Sequence, residues 1–168
     1  TPFVIAVPCS ILGSQKSRAL TELFLPGTQS ENVVYDPSNP HYFNGETARL
    51  KVDENCVKKS GVYPAGILNS GDGQRFTGFN LTVYLWQKAI DQNPANHFMV
   101  EESHDGEHYT PVDLKAVPGS RSEFNAWKLT PAQSLKRGTS YLRISFKIRQ
   151  VNQSWAAQIG RIKLEKQP

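Results

Sequence analysis

The most informative part of this sequence reads Phe79-Asn80-Leu81-Thr82-Val83-Tyr84-Leu85-Trp86. Its odd-numbered residues are all apolar, whereas its even-numbered residues are polar or aromatic. This period-two alternation predicts a β-strand whose odd-numbered face lies in the core. An outward row of Asn, Thr, Tyr and Trp is unusual where a sheet only meets water. We therefore interpret the even-numbered face as a surface that contacts a ligand.

Other strand-like segments lie before and after this stretch. They cover residues 3–7, 48–52, 97–103, 125–129, 141–148 and 159–164. Turns of Gly, Pro, Asn and Asp separate them, and there is almost no amphipathic helix. Residues 87–96 are predicted to close a long hairpin after the strand at 79–86. Together these features predict an all-β fold, an antiparallel β-sandwich of jelly-roll type.

Length and composition indicate one folded domain over residues 1–168, because 38% of the residues are hydrophobic. The formal net charge is +4, but the basic residues are scattered, so nucleic acid is not indicated as a partner. No run of 18 apolar residues occurs, so we expect no membrane span. The start at Thr1 looks like an excised boundary, which predicts a longer multidomain parent protein.

The chain contains two cysteines, Cys9 and Cys56, and lacks a Cys-x-x-Cys motif. An even count is typical of one disulfide in an exported protein, with two buried free thiols as the alternative. We expect a secreted or extracellular protein.

The loop of residues 35–46 is rich in Asp, Asn, Pro and Gly. Carboxylate and carbonyl oxygens in such loops are the ligands that Ca²⁺ prefers. Asp36, Asn44 and Glu46 are therefore candidate ligands of a structural calcium ion. The alternative is an ordinary turn, since the tight ligand spacing of an EF-hand is missing.

One longer stretch carries a resemblance to a known family. After the strand that begins at Phe98 it reads Ser103-His104-Asp105-Gly106-Glu107-His108-Tyr109-Thr110-Pro111-Val112. This order resembles the "strand, Ser-x-Asp-Gly, aromatic-Thr-x-Val" signature of galactose-binding-like β-sandwiches, among them discoidin-like domains and many carbohydrate-binding modules. Residues 139–146 and 155–162 look like the last two strands of that family. The resemblance covers roughly residues 43–166 and implies a galactose-binding-like fold with a role in glycan binding.

The predicted glycan platform consists of residues that point away from the core, if the strand at 79–86 neighbours those at 97–103 and 141–149. Aromatic rings match the apolar faces of sugars, while amide, cationic and carboxylate groups bond sugar hydroxyls. The candidate ligand-binding residues are Trp86, Tyr84, Asn80, His97, Glu101, Arg143 and Lys147, with Trp155 in a second candidate loop. Tyr42 and Tyr63 lie in predicted loops and could wall either site. In the alternative, a loop or residues 10–40 cover Tyr84 and Trp86, which then only extend the core.

We predict no catalytic residues. The carboxylates and histidines of residues 97–108 lie close in sequence, but Asp105 is explained by its turn, and no nucleophile elbow or phosphate loop occurs. The expected function is a non-catalytic module that binds a polysaccharide or oligosaccharide and is covalently linked to a catalytic domain. The alternatives are a protein or cell-surface adhesion domain of the same fold and a jelly-roll polysaccharide lyase.

Overall fold

The structure is a computed structural model that describes residues 3–5, 28–30, 33–53, 60–149 and 156–167. Its strands are β1 (Phe3–Ile5), β2 (Thr28–Ser30), β3 (Val33–Asp36), β4 (Arg49–Val52), β5 (Gly61–Asn69), β6 (Arg75–Trp86), β7 (Phe98–Ser103), β8 (Thr110–Pro111), β9 (Leu114–Pro118), β10 (Phe124–Pro131), β11 (Tyr141–Ile148) and β12 (Gln158–Gln167). Short 3₁₀ helices cover Pro40–Tyr42 and Pro94–Asn96. Within these residues, no helix is long and apolar enough to span a membrane.

The strands form two antiparallel sheets around a shared core. The larger sheet has six strands in the order β3-β4-β12-β6-β10-β9, and the smaller has four in the order β5-β11-β7-β8. β1 and β2 form a separate parallel pair. The described part of the chain is therefore an all-β antiparallel sandwich, which confirms the fold class predicted from the alternating pattern.

The core lies between the two sheets. From β6 it receives Phe79, Leu81, Val83 and Leu85, and from the smaller sheet Phe98, Val100, Leu142, Ile144 and Phe146, all at most 3% exposed. Burying each such side chain contributes about 1.5–3 kcal/mol. The prediction that the odd-numbered face of residues 79–86 is core is confirmed.

The prediction that residues 87–96 close a hairpin is wrong. β6 pairs with β10 and β12, whereas β7 pairs with β11 and β8, so the connection crosses from the larger sheet to the smaller one. The connection forms hydrogen bonds of its own: Gln92 Nε2 donates to the Ala89 carbonyl at 2.6 Å, and Asp91 accepts from the Asn93 amide at 2.9 Å. The alternation within two successive strands is the same whether they pair in a hairpin or lie in different sheets. The pattern alone therefore did not distinguish the two connections.

Residues 37–48 fold over the outer face of the larger sheet. Asn39 and Asn44 take the left-handed backbone conformation, which Asn tolerates better than most residues, and Pro40 starts the short helix between them. These turns bring Phe43 down onto the sheet, where only 2% of it stays exposed. This segment, the covering loop, shapes the candidate site.

Candidate functional site

A cleft of about 350 Å³ lies between the covering loop and the outer face of the larger sheet. We call it the aromatic cleft. Aromatic rings of Tyr42, Phe43, Trp86 and Phe124 line it, together with the polar side chains of Asp36, Ser38, Asn39, Lys51, Glu123 and Gln158 and the small residue Ala156. Strand register explains the grouping, because Lys51 pairs with Gln158, Gln158 with Tyr84, and Trp86 with Phe124 across neighbouring strands.

Arg49 fixes the covering loop to the sheet. Its side chain is fully buried, and its guanidinium donates to the backbone carbonyls of Ser38 and Glu46 in the loop and to Gln158 Oε1 at 2.8 Å. The guanidinium carbon also lies 3.6 Å from the centre of the Phe43 ring. One side chain on β4 thus satisfies two loop carbonyls and stacks on the loop's buried ring.

Asp36 carries the best-defined charge of the cleft. Its carboxylate accepts hydrogen bonds from the Ser38 amide at 3.0 Å and from Gln158 Nε2 at 3.1 Å, and it lies 3.6 Å from Lys51 Nζ. Burial acts to raise the pKa of Asp36, but the hydrogen bonds from Ser38 and the charges of Lys51 and Arg49 outweigh it and lower that pKa below 3.8. Asp36 is therefore ionised at neutral pH.

The lowered pKa of Asp36 predicts an acid-sensitive contribution to stability. A carboxyl group whose pKa is lower in the folded state stabilises the fold above its unfolded-state pKa and loses this effect as the pH falls through the folded value. Asp36→Asn should lower the free energy of unfolding by about 1–3 kcal/mol at pH 6. The deficit should shrink at pH 3, below the ordinary value of 3.8. Urea unfolding at both pH values measures the difference, and a deficit that is equal at both would contradict the account.

Tyr84 does not form part of an open platform, so the prediction that its ring is exposed is wrong. It is 1% exposed, because Phe43 packs edge-on against it with ring centres 5.2 Å apart, and its hydroxyl donates to the Phe43 carbonyl at 3.2 Å. Burial raises the pKa of Tyr84 above 10.0. Two residues further on, Trp86 is half-buried, lines the cleft, and donates from Nε1 to Glu123 Oε1 at 3.4 Å. The alternative interpretation, in which a loop covers the ring, is therefore correct for Tyr84.

Gly160 makes room for the buried ring of Tyr84. It lies at an irregularity of β12, and a Cβ atom added there would come within 2.6 Å of Tyr84 Cε2. Gly160→Ala should therefore lower the free energy of unfolding by about 1–3 kcal/mol, measured by urea denaturation. Gly78→Ala is the matched control, because the three heavy atoms nearest its new methyl group all belong to the Glu165 side chain, whose end can swing away. A Gly160→Ala protein as stable as the Gly78→Ala protein would show that Tyr84 is not held as described.

The predicted platform also required the strand at 79–86 to neighbour those at 97–103 and 141–149, and this condition is not met. β6 belongs to the larger sheet, whereas β7 and β11 are neighbours in the smaller one. The outer faces of the two sheets point away from each other. Trp86 and Arg143 therefore cannot contact the same sugar ring.

On the smaller sheet, Glu101 and Arg143 are directly opposite each other and form a two-pronged ion pair with N–O distances of 2.8 and 3.0 Å. The Arg143 guanidinium also lies 4.1 Å from the centre of the Tyr109 ring. These groups are thus already paired with each other. His97 ends the preceding connection, with Nε2 2.8 Å from the Asp91 carbonyl, and Lys147 follows on β11.

Of the other residues predicted to bind a ligand or form a disulfide, the structure describes some and not others. Asn80 is half-buried on β6, opposite Lys163, away from the lining of the aromatic cleft. Tyr63, predicted in a loop, lies in β5. Trp155, Cys9 and Cys56 lie outside the described residues, so the second loop site and the disulfide stay predictions.

The geometry gives no support to calcium at Asp36, Asn44 and Glu46, because each side chain is engaged elsewhere. Asp36 faces Lys51 and Arg49, as described above. The Glu46 carboxylate accepts from Arg161 at 2.7 Å, and Asn44 Oδ1 accepts from the Ser120 hydroxyl at 2.8 Å. The carboxylates of Asp36 and Glu46 are therefore already paired with cationic side chains of the protein.

A different trio places its potential metal ligands within 4.8 Å of one another in the described part of the chain: Asp105, Glu107 and His108. All three are exposed, and Asp105 is committed to its turn. The backbone N–H and the ring of His108 and the N–H of Glu107 hydrogen-bond its carboxylate and hold the pKa of Asp105 far below its usual range. Gly106 has a φ of 80°, which confirms the predicted Asp-Gly turn. The trio thus stabilises a turn.

Several cleft residues were absent from the predicted platform, namely Lys51, Glu123, Phe124 and Gln158, of which Gln158 was placed with Trp155 in the second candidate loop site. Lys51 and Gln158 carried a usable signal, because each is the polar member of an alternating strand, next to Leu50 and Ile159. Grouping them with Trp86 requires the order of the strands, which the sequence does not state.

The fold and the cleft define the class to which this chain belongs: an all-β antiparallel sandwich with an aromatic cleft on the outer face of its larger sheet. Comparison of the chain with protein-family models, curated proteins and solved structures finds no match.

Proposed function

We propose that this protein is a non-catalytic carbohydrate-binding domain and that the aromatic cleft receives the sugar. The observation that carries the proposal is the half-buried indole of Trp86 beside the rings of Tyr42 and Phe124 in a cleft edged by polar side chains. Aromatic faces stack on the apolar C–H faces of pyranose rings, and this contact is the main attraction in a shallow sugar site.

The polar rim can supply the hydrogen bonds that orient a sugar. Lys51 donates, and the carboxylates of Asp36 and Glu123 accept. The Gln158 amide is buried and bonds Arg49 and Asp36, so it positions the Asp36 carboxylate. A volume of about 350 Å³ is at the lower end of the usual range for small-molecule sites, about 300–1,000 Å³. We therefore expect a short segment of glycan to bind with modest affinity.

The chemistry of the cleft favours binding over catalysis. A general acid that works near neutral pH needs a raised pKa, whereas hydrogen bonds and neighbouring cations lower that of Asp36. Glu123 is engaged by Trp86 Nε1 and by Gln87 Nε2 at 3.1 Å. Both carboxylates are thus arranged as acceptors of hydrogen bonds.

The resemblance to galactose-binding-like modules extends the proposal to the parent protein. A secreted glycan-active enzyme that carries this domain would keep its catalytic domain near the polymer by raising the local concentration of substrate.

Affinity electrophoresis against a panel of soluble neutral and acidic polysaccharides tests the proposal. Retardation by at least one polysaccharide, without formation of an unsaturated, ultraviolet-absorbing product, is the expected result. A growing absorbance would indicate a lyase. Binding to cell-surface proteins with no binding to any polysaccharide would indicate an adhesion domain instead.

A further inference from the structure

A second cleft lies at the opposite end of β6 from the aromatic cleft. It has a volume of about 410 Å³ and is lined mainly by the start of β6 and the connection between β10 and β11. We call it the basic groove, after Arg75, Lys136 and Arg137 in its lining. Arg75 and Trp86 are the two ends of β6, so the clefts lie about 35 Å apart at about 3.3 Å per residue.

Within the described residues, no ion pair neutralises the positive charge of the basic groove. In the described part of the chain, no carboxylate lies within 4.0 Å of the charged groups of Arg75, Lys136 or Arg137. The described residues that line the groove include no Asp or Glu. Other arginines on this surface, such as Arg143 and Arg161, have carboxylate partners at 2.7–2.8 Å. An unpaired set of three cations in one concave site is therefore distinctive here.

The cations are held in place by the structure beneath them. Glu102, 7% exposed, accepts hydrogen bonds from the Lys136 backbone N–H and from the Thr139 hydroxyl, both at 2.7 Å. The Phe76 amide donates to the Thr139 carbonyl at 2.8 Å, which joins the connection to β6. Gly138, with a φ of 88°, allows the sharp turn directly after Arg137. A buried carboxylate thus fixes the backbone that presents Lys136 and Arg137.

A smaller cavity of about 210 Å³ adjoins the basic groove and shares Lys136 and Arg137 with it. Glu102, His104 and His108 are also among the residues that line it. The two cations therefore stand between two depressions and can be approached from both. An extended ligand that follows this surface would meet Lys136 and Arg137 from either depression.

We propose that the basic groove binds an acidic polysaccharide through the carboxylate or sulfate groups of its sugars. The arginine fork matches the paired oxygens of such groups, and a lysine adds an adjustable point charge. Thr77, Ser134 and Gln167 add polar side chains that can bond sugar hydroxyls. The groove lies apart from the aromatic cleft, so this proposal stands whether or not that cleft binds sugar.

Affinity electrophoresis at physiological ionic strength tests the proposal with three gels, containing polygalacturonate, dextran sulfate or neutral dextran. The test variant is Lys136→Gln with Arg137→Gln. The matched control is Lys88→Gln with Lys115→Gln, which removes the same charge from two exposed positions elsewhere on the surface. Exposed charges more than about 8 Å from the ligand are largely screened at this ionic strength, so the control should change little.

We expect polygalacturonate, dextran sulfate or both to retard the wild-type protein. Neutral dextran should not bind in the basic groove. The test variant should bind at least about tenfold more weakly, and the control variant within about twofold of wild type. Retardation by only one of the two acidic gels identifies carboxylate or sulfate as the group recognised. The proposal would be overturned if both double variants lost affinity equally, or if the test variant lost none. It would also be overturned if neither acidic gel bound the protein, or if a short DNA duplex bound more tightly.

Trp86→Ala separates the two proposals. If the basic groove acts by itself, this variant keeps its affinity for the acidic gel. Loss of that affinity in Trp86→Ala but not in the groove variant would assign acidic polysaccharide to the aromatic cleft and overturn the groove.

Discussion

Arg49→Ala is expected to lower the free energy of unfolding by about 3–5 kcal/mol, because it removes the fully buried group that joins the covering loop to the larger sheet. The substitution leaves the part-buried Ser38 and Glu46 carbonyls without this donor, and each unsatisfied group costs up to about 1–3 kcal/mol. It also removes the cation from the face of Phe43. Urea denaturation monitored by circular dichroism measures the change.

Two further variants make the Arg49 prediction specific. Arg161→Ala removes a 45%-exposed arginine that also pairs with Glu46, and it should cost at most about 1 kcal/mol. Arg49→Lys keeps the charge but loses the planar fork, so its stability should lie between those of wild type and Arg49→Ala. An Arg49→Ala protein within 1 kcal/mol of wild type would mean that the covering loop is held by other contacts.

For a polysaccharide that retards wild type and the Lys136→Gln, Arg137→Gln variant equally, Trp86→Ala is expected to weaken binding by about 30-fold or more, equivalent to about 2 kcal/mol. The indole supplies the largest aromatic face in the cleft, and nothing else at that position can stack on a sugar. Because Trp86 is only half-buried and lies outside the main core, the melting temperature of the Trp86→Ala protein should be less than about 5 °C below that of wild type.

Trp127→Phe is the matched control for Trp86→Ala. Trp127 is also half-buried and lies on the neighbouring strand, but it packs against the main core and below Arg121, at 4.4 Å from its guanidinium carbon. The control should bind within about twofold of wild type. Equal affinities for wild type and Trp86→Ala would remove Trp86 from the site.

The sequence predicted what depends on neighbours along the chain. The alternation in residues 79–86 correctly put Phe79 and Leu85 in the core, and the Asp-Gly dipeptide at residues 105–106 correctly marked a turn. It also put Glu101 and Arg143 on the outward faces of their strands, although the direct pairing of these strands came only from the structure. Local backbone periodicity carries this information.

What the sequence did not predict depends on contacts between distant segments. Tyr84 and Trp86 occupy equivalent positions in the pattern, yet one ring is buried and the other lines a cleft. The difference arises because Phe43, 41 residues before Tyr84, packs onto one of them. Likewise, the connection after Trp86 crosses to the other sheet, which separated the predicted platform into two faces.

The most direct test of the account is an NMR titration of ¹⁵N-labelled protein with the oligosaccharide unit of a polysaccharide that retards wild type and the Lys136→Gln, Arg137→Gln variant equally. We predict that the largest shift changes occur at the Trp86 indole N–H and at the amides of Lys51, Glu123 and Gln158. Changes concentrated on β7 and β11 around Glu101 and Arg143, with Trp86 unmoved, would contradict the proposal that the aromatic cleft receives the sugar.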